Sequence, residues 1–147
     1  AEGRCNGEGG DYMILIVCVD DHNGMMFNHR RQSQDRVLRA DILELTDGKK
    51  IWMNAYSRKQ FAESDAEKIM VDETFLDAAG DGEFCFVENA DVSGCVERIE
   101  EIYLYRWNRD YPAEVYFPVD LSVWKCMETK EFAGSSHEKI TRERYTR

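Results

Sequence analysis

The residues best suited to chemistry lie close together in the first third of the sequence. His29, Arg30 and Arg31 form a basic stretch in a protein whose formal net charge is -10. Asp35 follows at the start of a segment with helical periodicity. Because guanidinium groups and helix N-termini both bind anions, this pattern predicts an anion-binding surface that includes Arg30 and Arg31. A solvated loop followed by an Asp35–Arg39 helix pair also explains these residues.

Asp35 is the candidate catalytic residue. A carboxylate at the first turn of a helix is stabilised in its charged form by the helix dipole. A proton donor instead needs burial in an apolar pocket, which raises its pKa. The sequence is compatible with both interpretations. Trp107, at the end of an apolar segment, can likewise border a ligand cleft or close the core.

The cysteines, histidines and serines form no local catalytic or metal-binding motif. The five cysteines are Cys5, Cys18, Cys85, Cys95 and Cys126. They include no C-x-x-C pair, which predicts unpaired thiols in a reducing cytosol and hence a cytoplasmic protein. The histidines are too widely spaced for a local metal site, so we expect no metal. No serine lies in a G-x-S-x-G motif, and Walker and G-x-G-x-x-G loops are absent.

The length and charge of the chain limit its class. With 147 residues, 43% of them hydrophobic, the chain is long enough to bury a core as one domain. Its negative charge disfavours nucleic acid and anionic membranes as partners. No apolar stretch approaches the roughly 18 residues that span a bilayer. A small-molecule ligand is compatible with this composition, and the oligomeric state is left open.

Strands and helices are expected to alternate along the chain. Residues 1–12 are glycine-rich, which predicts a disordered leader from an over-long reading frame or an added tag, ahead of one domain at 13–147. Met13–Val19 is apolar throughout, as in a strand buried on both faces. A polar loop at 25–32 precedes a helix capped by Ser33, and Ser57 caps a shorter helix. Later elements are strands at 51–53, 68–71 and 84–87, helical turns at 74–79 and 96–100, and three C-terminal strands.

The last third of the chain has a characteristic order of segments. It runs from Ile102-Tyr103-Leu104-Tyr105-Arg106-Trp107 through Ala113-Glu114-Val115-Tyr116-Phe117-Pro118 to Val123-Trp124, Glu131-Phe132, Ser136-His137 and Tyr145-Thr146-Arg147. A strand, an acidic turn ending in Phe-Pro and a long hairpin in that order resemble the C-terminal end of dihydrofolate reductases. Near the start, Val19-Asp20-x-x-x-Gly24 is similar to the first strand and glycine turn of that family. The resemblance covers 13–61 and 101–147.

The resemblance implies both a fold and a site. The fold is a three-layer α/β domain with a central mixed, mostly parallel β-sheet, helices on both faces and a C-terminal antiparallel hairpin. Asp35, or less readily Asp41, matches the carboxylate that protonates the substrate. Tyr105 corresponds to a threonine that supports this carboxylate. The old substrate cleft would be lined by Asp35, Arg30, Arg31 and Tyr105, with Trp107 at its border.

The departures from the family concern the cofactor. The Gly-Arg pair that binds the 2′-phosphate of NADPH is replaced by Asn54 and Ala55, which leaves only the Ser57 hydroxyl as a cofactor contact. The family's Gly-Gly pair against the pyrophosphate is reduced to Gly94. We therefore predict no cofactor, unless NADPH or a flavin is held by other contacts.

Three functions are compatible with these patterns. The leading hypothesis is a non-reductase that binds a small anionic ligand in the old substrate cleft. The second is a divergent NAD(P)H- or flavin-dependent reductase with Asp35 as its proton donor. The third is an interaction or scaffold protein without a small ligand. Whether the protein is an enzyme is left open.

Overall fold

The computed structural model describes residues 12–61 and 67–147. The predicted leader at 1–12 therefore lies, except for Tyr12, outside the described residues. The strands are β1 (Met13–Val19), β2 (Gly24–Phe27), β3 (Arg30–Arg31), β4 (Ile51–Met53), β5 (Ile69–Val71), β6 (Phe84–Phe86), β7 (Ile99–Arg106), β8 (Val115–Tyr116), β9 (Lys125–Phe132) and β10 (Ile140–Thr146). The helices are α1 (Arg36–Leu45), α2 (Ala55–Arg58) and α3 (Phe75–Ala78), with 3-10 turns at Lys59–Phe61, Ser93–Arg98 and Leu121–Val123.

Seven strands form the central sheet, in the order β5-β4-β6-β1-β7-β10-β9, and β3, β2 and β8 form a smaller sheet. The first five strands of the central sheet run parallel to one another. β10 is antiparallel to both β7 and β9. This arrangement confirms the predicted mixed, mostly parallel sheet with a C-terminal antiparallel hairpin.

The core lies on both faces of β1, because side chains along a strand alternate between faces. Leu15 and Val17 pack in one cluster with Phe75, which lies on α3. Ile16 packs in a second cluster with Leu38 and other residues of α1. Helices therefore cover the two faces of the sheet, as predicted, and the apolar composition of β1 follows from its position at the centre.

The two helices predicted to begin at Ser33 and at Ser57 are present in the structure, but their predicted N-cap residues are wrong. Asp35, not Ser33, is the N-cap of α1, because its carboxylate accepts hydrogen bonds from the backbone N–H groups of Val37 and Leu38. Asn54, not Ser57, is the N-cap of α2, and its side chain accepts from the N–H of Ser57.

Two segments differ from their predicted structure. The polar loop expected at 25–32 contains β2 and β3, which pair across a two-residue turn. Asn28 and His29 in that turn have φ angles of 54° and 61°, the left-handed backbone typical of tight hairpins. The helical turn expected at 96–100 ends at Arg98, and β7 begins at Ile99.

Two further properties concern the described residues. Cys18, Cys85 and Cys126 are free thiols, and Cys5 lies outside the described ranges. None of the described helices is long and apolar enough to cross a membrane.

Candidate functional site

The carboxyl ends of β1, β6 and β7 define the place where a ligand is expected. In open α/β sheets, ligands bind beyond the carboxyl ends of the strands, where neighbouring connections run in opposite directions. β1 occupies that position, with β6 on one side and β7 on the other. We call the space beyond these ends the central cleft. It is lined by Cys18, Met25, Arg31, Gln32, Ser33, Val87, Glu88 and Trp107.

The central cleft is almost filled by protein. Its free volume is about 10 Å³, close to the minimum that holds one water molecule. A substrate therefore has no room in this conformation. The side chains that fill the cleft also account for two of the predicted ligand-binding residues, Arg31 and Trp107.

Arg31 is held by an internal ion pair. Its Nε and Nη2 atoms donate to the two carboxylate oxygens of Glu88 at 2.8 and 3.0 Å. Its guanidinium lies 4.5 Å from the centre of the Tyr56 ring and donates to the Tyr56 carbonyl at 3.2 Å. Gln60 donates to the same Glu88 carboxylate at 2.9 Å. Burial opposes the charge of Arg31, but the bonds to Glu88 outweigh it and raise the pKa of Arg31. Arg31 is therefore a component of the packed interior.

Asp35 is buried and fully hydrogen-bonded. Besides its cap bonds, its Oδ1 accepts from the N–H of Ser135 at 3.0 Å, and its Oδ2 accepts from the N–H of Ser136 at 2.8 Å. His137 Nδ1 lies 3.0 Å from Oδ2. Burial alone would raise the pKa of Asp35, but these hydrogen bonds lower it. The turn approaches this closely because residue 134 is glycine, since a Cβ there would lie 2.5 Å from Asp35 Oδ2.

His137 connects Asp35 to the central cleft. Its ring stacks on Trp107, with centroids 4.6 Å apart and an interplanar angle of 26°. Its Nε2 lies 3.2 Å from Ser33 Oγ and 3.0 Å from the Tyr111 hydroxyl. Trp107, Ser33 and Asp35 are thus brought together by one buried histidine from the β9–β10 connection.

Tyr105 belongs to a different cluster. Its hydroxyl donates to Asp41 Oδ2 at 2.6 Å. Lys130 and Arg142 each donate to the same carboxylate at 2.8 Å. Burial raises the pKa of Asp41, and the bonds from Lys130, Tyr105 and Arg142 more than reverse this and lower it. Tyr105 therefore supports Asp41, the less favoured of the two predicted carboxylates.

Arg30 lies outside the central cleft and is exposed. It lines an open hollow of about 250 Å³, the outer hollow, together with Phe27, Asn28, Arg31, Gln32, Tyr111 and Pro112. Its side chain forms no ion pair with a described residue. The hairpin turn at its rim is fixed by Glu114, whose carboxylate accepts from the Asn28 N–H at 2.8 Å. Arg30 is therefore the one predicted ligand-binding residue that faces solvent beside a hollow.

Gly94 lines a separate pocket, whereas Ser57 does not. Ser57 is buried within α2, and its Oγ has no hydrogen-bond partner among the described residues. The N–H of Ala55 donates to Glu73 at 2.8 Å, so a carboxylate of the chain already occupies this helix start. The pocket beside it has a volume of about 240 Å³ and is lined by Glu73, Thr74, Phe75, Leu76, Asp77, Ala90, Asp91, Gly94 and Cys95. We call it the acidic pocket, because its charged lining residues are all carboxylates.

No group of three or more histidine, cysteine, aspartate or glutamate side chains among the described residues is arranged to hold a metal ion.

Sequence patterns did not identify Glu88 or His137 as site residues. A usable signal exists for Glu88, since a charged residue directly after a buried parallel strand lies at the ligand edge of the sheet. His137 has no comparable signal, because its partners Ser33 and Asp35 are about a hundred residues away.

Comparison with known proteins supports the fold. No protein-family model matches the sequence, and no curated protein matches it. Among solved structures, the chain is similar to a dihydrofolate reductase from Enterococcus faecalis complexed with NADP(H) and RAB-propyl. The TM-score is 0.67 at 12% sequence identity, and the match covers 92% of this chain and 96% of the other. The chain therefore has the dihydrofolate reductase fold, which confirms the resemblance recognised in its sequence.

Proposed function

We propose that this protein is a non-reductase that binds a small anionic ligand in the outer hollow, with Arg30 as the main contact. The observation that carries the proposal is the contrast between the two arginines of β3. Arg31 is neutralised by Glu88 inside the filled central cleft, whereas Arg30 projects its charge beside an open volume of about 250 Å³. This volume is slightly below the range typical of drug-sized sites, roughly 300 to 1,000 Å³, and suits a small ligand.

The surroundings of α2 argue against NADP(H) as a cofactor. A dinucleotide phosphate needs N–H groups or cations, but the N–H of Ala55 donates to Glu73 and the N–H of Ser57 donates to Asn54. The adjoining acidic pocket would place Glu73, Asp77 and Asp91 near an anionic cofactor. Since like charges repel, these residues do not fit a nicotinamide dinucleotide phosphate.

The state of Asp35 argues against the reductase alternative. A general acid at neutral pH needs a raised pKa. The hydrogen bonds of Asp35 lower its pKa, and its side chain is fully buried against His137. A reductase with Asp35 as proton donor would have to open the Ser135–Ser136 turn before each reaction.

The proposal is tested by calorimetric titration of the full chain with inorganic phosphate and with succinate. We expect at least one of the two to bind, and Arg30→Ala to weaken that binding about tenfold, roughly 1.4 kcal/mol. Arg36→Ala is the matched control, because Arg36 is also exposed but does not line the hollow. Equal binding by wild type and Arg30→Ala would contradict the proposal. A parallel titration with NADPH should give no binding tighter than about 10 μM, and tighter binding would restore the reductase alternative.

A further inference from the structure

Ser33 and Asp35, next to the start of α1, form a continuous hydrogen-bonded series with His137, which lies about a hundred residues further along the chain. Asp35 Oδ2 lies 3.0 Å from His137 Nδ1, and His137 Nε2 lies 3.2 Å from Ser33 Oγ. The order is carboxylate, imidazole, hydroxyl, with each contact at hydrogen-bonding distance. The same order defines the nucleophilic triads of hydrolases, which are recognised by geometry and not by sequence position.

The hydrogen-bond partners determine where the imidazole carries its proton. Asp35 is held in its charged form by the N–H groups of Ser135 and Ser136, so its Oδ2 can only accept. His137 Nδ1 therefore donates to Asp35, and Nε2 presents its lone pair. That lone pair points toward hydroxyl groups, the arrangement that a general base requires.

The ring of His137 is held in place by burial and by stacking. Its side chain is only 2% exposed, and its plane stacks on Trp107. Ser33 itself is partly exposed, and the following residue, Gln34, is exposed. A fixed base beside a reachable hydroxyl is a different arrangement from a fully buried structural network.

We propose that Ser33 is a nucleophile for acyl transfer, with His137 as its general base and Asp35 as the positioning residue. This activity goes beyond the binding of an anion and does not depend on Arg30. In the first step, Ser33 Oγ forms a bond to the carbonyl carbon of an ester, and its proton passes to His137 Nε2. The bond from that carbon to the alcohol oxygen then breaks, and the alcohol leaves with the proton from Nε2. Water hydrolyses the acyl-serine by the same route, which releases a carboxylic acid and restores Ser33.

The central cleft itself does not hold the ester, because the enclosed volume that Ser33 shares with Trp107 is only about 10 Å³. The ester must therefore reach Ser33 from the solvent side, where Ser33 is partly exposed and Gln34 is exposed. A short acyl group such as acetyl meets the least obstruction on that side.

Tyr111 provides an internal control on the proposal. Its hydroxyl also lies 3.0 Å from His137 Nε2, so it competes with Ser33 for one lone pair. Removal of the Tyr111 hydroxyl should leave Nε2 free to accept the Ser33 proton. Tyr111→Phe should therefore increase the reactivity of Ser33, an effect that a purely structural role of the cluster does not produce.

The experiment is covalent labelling of the full chain with a fluorophosphonate, followed by peptide mass spectrometry. Ser33 Oγ would bond to phosphorus as fluoride leaves, and the Ser33 proton would pass to His137. We expect labelling at Ser33, loss of labelling in Ser33→Ala, and at least threefold faster labelling in Tyr111→Phe. Ser122→Ala, at an exposed serine outside the cluster, should label like wild type. Absence of a Ser33 adduct in wild type overturns the proposal, as does unchanged or slower labelling of Tyr111→Phe.

Hydrolysis of p-nitrophenyl acetate gives a second measurement on the same variants. We expect a release of p-nitrophenol by wild type that falls at least tenfold in Ser33→Ala. Ser33→Ala removes only one hydroxyl from a partly exposed residue, so it should unfold at the same denaturant concentration as wild type. If this variant is folded and retains the wild-type rate, the proposal is overturned.

Discussion

Asp35 and Asp41 lie at the start and in the middle of one helical segment, and both are buried aspartates with a lowered pKa. Their partners differ in kind. Asp35 is surrounded by backbone N–H groups, one serine hydroxyl and one histidine. Asp41 is surrounded by the cations of Lys130 and Arg142 and by the hydroxyl of Tyr105. One carboxylate organises a turn of the chain, and the other joins the hairpin to the helix by charge.

Because the partners differ, removal of each carboxylate leaves a different set of hydrogen-bond donors without an acceptor. The N–H groups around Asp35 belong to a fixed turn and cannot move to solvent without opening it. Lys130 can do so readily, since its side chain is 45% exposed. Only the Asp35 network extends to the central cleft, through His137 and Trp107. Loss of Asp35 should therefore affect both stability and the cleft, whereas loss of Asp41 should affect stability alone.

The largest expected effect is that of Asp35→Ala. This change removes the N-cap of α1 and leaves the N–H groups of Ser135 and Ser136 without their acceptor, so it should cost about 3 kcal/mol of unfolding free energy. Urea denaturation at pH 7 measures this loss. Asp47→Ala, at an exposed position beyond α1, is the control and should change the stability by less than about 0.5 kcal/mol. If Asp41→Ala proves more destabilising than Asp35→Ala, the contrast drawn between the two clusters is wrong.

The sheet and its hairpin were predictable because their signals are local. The apolar run of β1 reports burial on both faces directly, and the order of the C-terminal segments specifies the hairpin. The cap of α1 was not predictable, since Ser33 and Asp35 are both good N-cap residues. The choice depends on the Ser135–Ser136 turn, which donates to Asp35 from the far end of the chain.

Contacts between residues far apart in the chain also limit what the sequence says about the candidate site. Arg31 looks like a ligand-binding cation in the sequence, and only the fold places Glu88 opposite it. Tyr105 was expected beside the catalytic carboxylate, and the structure places it on Asp41. Long-range ion pairs have no local pattern, so the sequence identifies charged residues but not which of them neutralise one another.

Acid titration of stability tests the comparison between the Asp35 and Asp41 clusters. Because folding lowers the pKa of Asp35, its charge contributes stability above the pKa of an unfolded aspartate, about 3.9, and this stability is lost as the pH falls through and below that value. Asp35→Asn should therefore be destabilising at pH 7 and progressively less so toward pH 3, where the gap to wild type should have shrunk by about 1 kcal/mol. Unfolding free energies measured at intervals from pH 7 to pH 3 give the result.

The unfolding free energy of Asp41→Asn, measured over the same pH range, provides the comparison for Asp35→Asn. Its pKa is also lowered, so its gap to wild type should shrink over the same range. Added salt should separate the two variants, because the charges of Lys130 and Arg142 are partly screened at 1 M salt, whereas the N–H groups around Asp35 carry no net charge. A gap for Asp35→Asn that stays constant down to pH 3 would mean that its charge does not contribute to stability.

The smallest expected effects come from removing single donors of the Asp41 cluster. Tyr105→Phe removes a buried hydroxyl but leaves Asp41 with two cations, so it should cost about 1 kcal/mol. Lys130→Ala removes a half-exposed cation and should cost only about 0.5 kcal/mol. Both values are measurable by urea denaturation against wild type.

The order of these two effects tests whether burial or charge dominates in the Asp41 cluster. Near the surface, water and salt screen much of the attraction between a cation and its carboxylate partner, whereas a buried hydroxyl retains its full hydrogen bond. If Lys130→Ala is the more destabilising change, charge dominates, and ion pairs hold α1 to the hairpin. If Tyr105→Phe is the more destabilising change, Asp41 resembles Asp35, because it stabilises the protein mainly through buried hydrogen bonds.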